Sequence, residues 1–213
     1  MYGQLVQALQ LKHADILNVY PFGSRVYETS SYNSDYDFII VGNTYLTKLL
    51  GTKLKNDEAL LLSGSCADKH FHALVHDTQS FTRNLKQHSL HTLECYFLPG
   101  EQALLKTAMF NFDIDKKMLR NRIMQKAVCD WEKSKKRFAD GKVERAKKSL
   151  FHSLRVLDFG IQIAEGKKIN NYTSCSLLWK DIKLNISENG TDYEDLFKER
   201  FHDMVIRLKG ATT

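Results

Sequence analysis

The stretch Phe22–Gly42, FGSRVYETSSYNSDYDFIIVG, decides how this chain folds. Its last third, Asp35–Val41 (DYDFIIV), is rich in β-branched and aromatic residues and is closed by Gly42-Asn43, which predicts a strand. Side chains alternate along a strand, so Asp35 and Asp37 are expected on one face and Tyr36 and Phe38 on the other. Two carboxylates held that close repel each other unless a cation lies between them, and oxygen ligands suit Mg²⁺ or Mn²⁺. Asp35 and Asp37 are therefore the candidate catalytic and metal-binding residues, and a divalent pair there would bring phosphoryl-transfer chemistry. The stretch opens on Gly23-Ser24, just after the short apolar strand expected over Val19–Phe22. Without a Cβ, Gly23 lets backbone N–H groups approach a phosphate, and Ser24 adds a hydroxyl near the cap of a short helix expected over Arg25–Glu28.

Upstream, Leu5, Leu9 and Ile16 among polar residues predict an amphipathic helix running to about Asn18. Downstream, a helix is expected from about Tyr45 to Leu50, a strand over His70–His76 and a helix over Thr78–Gln87. The apolar run Leu93–Leu98 then ends at Pro99-Gly100. Strands and helices alternate this far, whereas no strand pattern follows Asp115. Lys116–Ala139 and Lys142–Glu165 read as long helices, with Gly141 and Gly166 where a helix-ending glycine is favoured. Two more helices are expected at about Ser174–Leu184 and Tyr193–Leu208.

Composition narrows the class. The chain has 213 residues, 43% hydrophobic and 26% charged, the balance of a folded protein rather than a disordered one. Between Lys116 and Lys148 stand thirteen basic side chains against four acidic ones, an excess larger than the net charge of +6 for the whole chain. Such a stretch is either a solvated helix face or a contact surface for nucleic acid or nucleotide. Cys66, Cys95, Cys129 and Cys175 are scattered, which suits reduced thiols, and no basic-then-apolar leader is visible at MYGQLVQALQ. No stretch approaches a membrane span, so a cytoplasmic protein with no membrane partner is expected.

The order Phe22-Gly23-Ser24, a gap of ten residues, then Asp35-Tyr36-Asp37-Phe38 resembles the signature of the DNA polymerase β-like nucleotidyltransferase superfamily. With Gly23-Ser24-Arg25 and Ser34-Asp35-Tyr36-Asp37, it looks most like the predicted nucleotidyltransferases of bacteria and phages, some of them encoded beside RNA ligases. The resemblance implies an α+β fold: a small mixed-sheet nucleotidyltransferase domain over 1–112, then a helical bundle over 113–213. It implies Gly23, Ser24 and Arg25 as nucleotide contacts and a third metal ligand on a neighbouring strand. Aligning Asp77-Thr78-Gln79-Ser80-Phe81 with the usual helix start puts His72 at that third position, where relatives carry an acid. Asp68, Asp77 and Glu94 are the alternative acids, and His70, His72 and His76 forming a plain polar face is the alternative reading.

In the second half, Lys148, His152 and Arg155 are spaced to share a helix face, apart from the stripe Leu150, Leu154, Leu157 and Ile161. Such a basic stripe suits β- and γ-phosphates. Lys-x3-His-x2-Arg, with Gly166 and Trp179 beyond it, also looks like the second domain of the same nucleotidyltransferases. The expected reaction is transfer of a nucleoside monophosphate from a nucleoside triphosphate to an acceptor hydroxyl. An RNA 3′ end is the expected acceptor. The alternatives are a protein hydroxyl, or a nucleotide- or RNA-binding module with a decayed site.

Overall fold

The computed structural model describes residues 2–43, 59–66, 69–186 and 193–213. The helix expected over Tyr45–Leu50 lies outside them. The chain divides into two compact units, Met1–Asp113 and Ile114–Thr213. The fold is α+β: a mixed sheet with its helices, followed by an all-helical unit.

Five strands among the described residues make one sheet: β1 (Ile16–Phe22), β2 (Tyr36–Gly42), β3 (Leu60–Cys66), β4 (Lys69–Asp77) and β5 (Leu105–Lys106), in the order β3-β4-β2-β1-β5. β2 and β4 run parallel, and every other pairing is antiparallel. Phe38 and Ile40 of β2 join Phe71, Ala73 and Val75 of β4 on one face, where Leu5 and Val6 of helix α1 (Tyr2–Ala8) cover them. The opposite face carries Tyr20, whose ring stacks on Phe81 of helix α2 (Thr78–Lys86) at 6.2 Å. The apolar run at Leu93–Leu98 proves helical, as part of α3 (Leu90–Phe97).

The first helix ends ten residues earlier than expected. Gln10 takes a left-handed φ of 54°, and the chain then enters β1 at Ile16. Asn18 explains why this segment is strand. Fully buried, it donates to Tyr20 Oη (2.7 Å) and the Ala108 carbonyl (2.9 Å) and accepts from the backbone N–H of Thr107 and Ala108. A helix at this point would strand those groups, at a cost of ~1–3 kcal/mol each. Pro21 sits past the residues that β5 pairs, Asn18 and Val19, so its missing N–H breaks no ladder on that side.

The second unit holds α4 (Lys116–Ala139), α5 (Val143–Gly166), α6 (Ser174–Asn185) and α7 (Tyr193–Ala211). Asp115 caps α4 by accepting from the Met118 N–H. Gly141, at φ 70°, turns the chain into α5. The left-handed residue ending α5 is Lys167 (φ 57°); Gly166 is the last helical residue rather than the cap. α5 is the buried axis of the unit: Ser153 donates to the Ala127 carbonyl of α4, Phe151 packs on Trp179 of α6, and Glu165 takes a two-pronged bond from Arg207 of α7. Among the described residues, no helix is long and apolar enough to cross a membrane.

Candidate active site

β2 changes character along its length, from a partly exposed Tyr36-Asp37 to a buried Phe38–Val41. Its polar start is the centre of the site. Asp37 is the register partner of Phe22 on β1 and of His72 on β4, and His72 in turn is the partner of Ser63 on β3. Directly paired residues share a face, so Phe22, Asp37, His72 and Ser63 form one row across four strands. Asp35 stands one residue before β2, its side chain 46% exposed, with Oδ2 3.6 Å from His72 Nε2. An open groove of about 380 Å³ beside this row is lined by Asp35, Ser63, Ser65, His70 and His72, among others.

Gly23 follows β1 at φ 77°, a conformation that side chains with a Cβ rarely adopt. A Cβ there would lie 2.5 Å from Asp37 Oδ2, so the turn backbone rests directly on the carboxylate. The helix expected over Arg25–Glu28 with Ser24 as its cap is instead a 3₁₀ turn over Gly23–Arg25. Phe22 holds its cap position, and Val26 and Tyr27 both donate to the Gly23 carbonyl. Glu28, at φ 55°, prevents the turn from propagating. Arg25 faces the loop behind it: it donates to the carbonyls of Ser34 (2.6 Å) and Asp35 (3.3 Å), with its guanidinium 3.8 Å above the Tyr36 ring. Its planar fork thereby holds the loop that delivers Asp35.

Burial pushes the Asp37 carboxyl above the usual carboxylate range, with His72 pulling it back, Asp35 adding to the rise and Arg25 opposing it. A half-buried carboxylate with a second carboxylate nearby, beside a turn with no Cβ, is a donor set that fits a divalent cation. The third position fits less well. His72 Nδ1 lies 2.9 Å from Ser63 Oγ while Nε2 faces Asp35, so both ring nitrogens already have neighbours. Among the described residues no three His, Cys, Asp or Glu side chains converge to hold an ion. The other acids expected as substitutes are committed elsewhere. Asp77 caps α2 by accepting from the Ser80 N–H at 2.7 Å, and Glu94 is buried and accepts from Tyr27 Oη. Asp68 lies outside the described residues.

In the second unit the expected basic stripe divides. Lys148 and His152 are exposed, but Arg155 is buried, its Cζ 5.2 Å from the Phe159 ring. α5 buries residues almost all round, so a spacing that shares a face cannot also keep Arg155 in solvent. Desolvation pushes the pKa of His152 down, helped by Arg155, Lys126 and Lys148 and opposed by Asp130.

Ser63 and Ser65 are not singled out by sequence. LLLSGSC looks like an apolar run fading into a turn, and only the register shows its serines meeting His72 and His70 across the ladder. The one available signal is alternation, S-x-S facing H-x-H.

No protein-family model matches the chain, and no curated protein does. Among solved structures it is similar to the crystal structure of a nucleotidyltransferase-like protein from Exiguobacterium sibiricum 255-15, at 12% identity and a TM-score of 0.34, over 100% of this chain and 72% of that one. An overlap that loose carries no functional argument.

Proposed function

We propose that the chain is a metal-dependent nucleotidyltransferase that moves a nucleoside monophosphate from a nucleoside triphosphate to an RNA 3′ hydroxyl. The observation that carries this reading is the contact between the Gly23 turn and Asp37, which puts a turn backbone suited to a phosphate and a carboxylate suited to a cation at one point of the sheet. Asp35 and Asp37 hold Mg²⁺ or Mn²⁺ in this account, and Gly23 and Ser24 receive the triphosphate. When bound, the ions supply positive charge to the phosphates and lower the pKa of the attacking hydroxyl. The protein's own contribution is placement. Arg25 fixes the loop before Asp35, and the β1–β2 register sets the turn against Asp37. Lys148 and His152, exposed on α5, are the candidate phosphate contacts of the second unit and its basic first helix the RNA contact, whereas the buried Arg155 supports the helix from within.

The test is incubation with each α-labelled nucleoside triphosphate, Mg²⁺ or Mn²⁺, and RNA with a free 3′ end. Label should appear on the RNA with the wild type and fall by ~10²–10³-fold or more in Asp35→Ala and Asp37→Ala, because each removes a group from a mainly electrostatic catalyst. Wild-type turnover in both variants would overturn the assignment.

A further inference from the structure

At 86% exposure, Tyr32 is the most solvent-open of the large hydrophobic side chains among the described residues. Single apolar residues on a surface are ordinary, but this one is held in place. Nζ of Lys69, the first residue of β4, lies 3.8 Å from the centre of the Tyr32 ring. The same ammonium donates to the Tyr32 carbonyl at 2.6 Å, so one cation fixes both the main chain and the ring. The turn around Tyr32 is braced as well. The Ser34 N–H donates to the Ser31 carbonyl (3.1 Å), the Ser31 N–H donates to Ser34 Oγ (2.9 Å), and Arg25 grips the carbonyls that follow. Tyr36 is the contrast: half-buried, with Arg25 on its ring and Phe38 stacked beside it at 6.2 Å. Tyr32 has a cation against one face of its ring and solvent at the other.

Its position gives that open face a use. The Gly23-Ser24 turn follows β1, on one side of β2, whereas β4 and β3 lie on the other side. In a phosphoryl transfer the attacking and leaving oxygens stand roughly in line across the phosphorus. With the β- and γ-phosphates at Gly23 and Ser24, pyrophosphate leaves toward β1, and the acceptor hydroxyl must come in from the side of β4. The open groove lined by Asp35, Ser63, Ser65, His70 and His72 is on that side. Tyr32 is tied to the same side by Lys69, the residue before His70. It stands three residues before Asp35, which keeps the two within about 11 Å of each other.

We propose that Tyr32 is the stacking platform for the 3′-terminal base of the RNA acceptor. The base lies on the open face of the ring while Lys69 backs the other, and its ribose hydroxyl reaches the α-phosphorus beside Asp35. A ring already fixed by Lys69 has little freedom left to lose when the base arrives. Every base has a π-face, so the platform grips the end of the strand without choosing its sequence. This role rests on the nucleotidyltransferase reading of the same site and names how that site takes its acceptor.

The test uses the full chain with Mg²⁺ and a short oligouridine that ends in 2-aminopurine, a fluorescent base whose emission is quenched by stacking. A second oligomer carries 2-aminopurine at its 5′ end. The wild type should quench the 3′ probe clearly more than the 5′ probe. Tyr32→Ala should lose that difference and raise the KM for RNA in the transfer assay by about tenfold, leaving the KM for the nucleoside triphosphate near the wild-type value. Tyr32→Phe keeps the ring and should behave as the wild type. The comparison of the two probes on the wild type stands even if Tyr32→Ala folds poorly. Equal quenching of the two probes, or quenching of the 3′ probe retained in a folded Tyr32→Ala, would overturn the platform. So would a fall in kcat with the KM for RNA unchanged, the mark of a residue that only braces the Asp35 loop. Label transferred to RNA in those cases leaves the function above intact. RNA neither bound nor labelled would overturn both.

Discussion

Gly23 and Asp37 occupy each other's space: a single carbon added to the glycine would lie 2.5 Å from the carboxylate oxygen. The turn is therefore shaped around the acid, and the acid around the turn. Gly23→Ala faces two penalties, a left-handed φ that costs roughly 1–2 kcal/mol for a residue with a Cβ, and a clash with a group that must stay in place. We expect transfer to fall by about 10²-fold, the scale on which a catalytic group displaced by an ångström loses effect. Unfolding should shift only modestly, because the clash is with a half-buried side chain. Steady-state kinetics and thermal melting of the same preparation check this. A variant of wild-type activity would show that the contact has no catalytic meaning.

The contacts of Arg25, to the carbonyls of Ser34 and Asp35 and to the Tyr36 ring, set a holding role against the nucleotide contact expected from sequence. Arg25→Lys keeps the charge but loses the fork that spans the carbonyls of Ser34 and Asp35 and the plane that stacks on Tyr36. If its role is to deliver Asp35, Lys should be nearly as poor as Ala, with kcat lowered by about tenfold or more in both. A direct phosphate contact predicts instead that Lys rescues most of the loss.

The residues that decide the fold are legible because chemistry and periodicity agree in them. DYDFIIV is rich in β-branched and aromatic residues, ends on glycine and carries its acids where a strand begins. The strand at Leu60–Cys66 is not legible, since its pairing with β4 depends on Gly64 allowing the Phe71 ring to lie across it, a Cβ there falling 2.5 Å from that ring. Nor is the early end of the first helix. Ile16 and Leu17 fit a helical stripe as well as a strand, and only the long-range bonds of Asn18 choose between them. At the site, Asp35, Asp37 and Gly23 can be read locally. The partners of His72 cannot, because they come from strand register and from a loop fixed by Arg25.

The stability of the first unit should depend on pH through His76 and His91. Their rings stack at 5.6 Å, and burial pushes both down to about 4, His91 adding to the fall at His76 and Asp77 opposing it. Groups whose folded pKa is depressed favour the folded state fully above the unfolded value, near 6.5, and lose that contribution as pH falls toward 4. Denaturation midpoints should therefore be flat above about pH 6.5 and decline below it. His76→Phe should flatten the decline between about pH 6.5 and 5, before most carboxylates titrate. An unchanged acid limb in that variant would rule out the pair as its source.

RNA binding, if it uses α4, should weaken steeply with salt, the logarithm of affinity falling by about 0.7 for each phosphate contact on a single strand. The cations that can contribute are not interchangeable. Lys126 and Lys133 are paired with the buried Asp130, and Arg137 is bound to Ser149 and the Arg145 carbonyl. Lys116, Lys117 and Lys136 are exposed. Charge reversal at those three should flatten the salt slope while leaving the melting temperature nearly unchanged, whereas Arg137→Glu should destabilise the second unit. Binding that ignores salt would point to a protein acceptor instead.

Asn18 also sets a timetable. Its side chain is satisfied only by main chain ninety residues further on, at Thr107 and Ala108, and β1 gains its outer neighbour from Leu105–Lys106. During synthesis the first unit cannot close its sheet until almost all of it has left the ribosome, however early its candidate site segment, Phe22–Gly42, emerges. Until then Phe22–Gly42 is exposed chain with its acids unplaced. The helical unit can begin earlier, since its long helices form from neighbours in sequence, although Trp131 and Glu165 still await Phe201 and Arg207 of α7. The half of the molecule that reads most clearly as an enzyme is thus the half whose folding is decided last among its own residues.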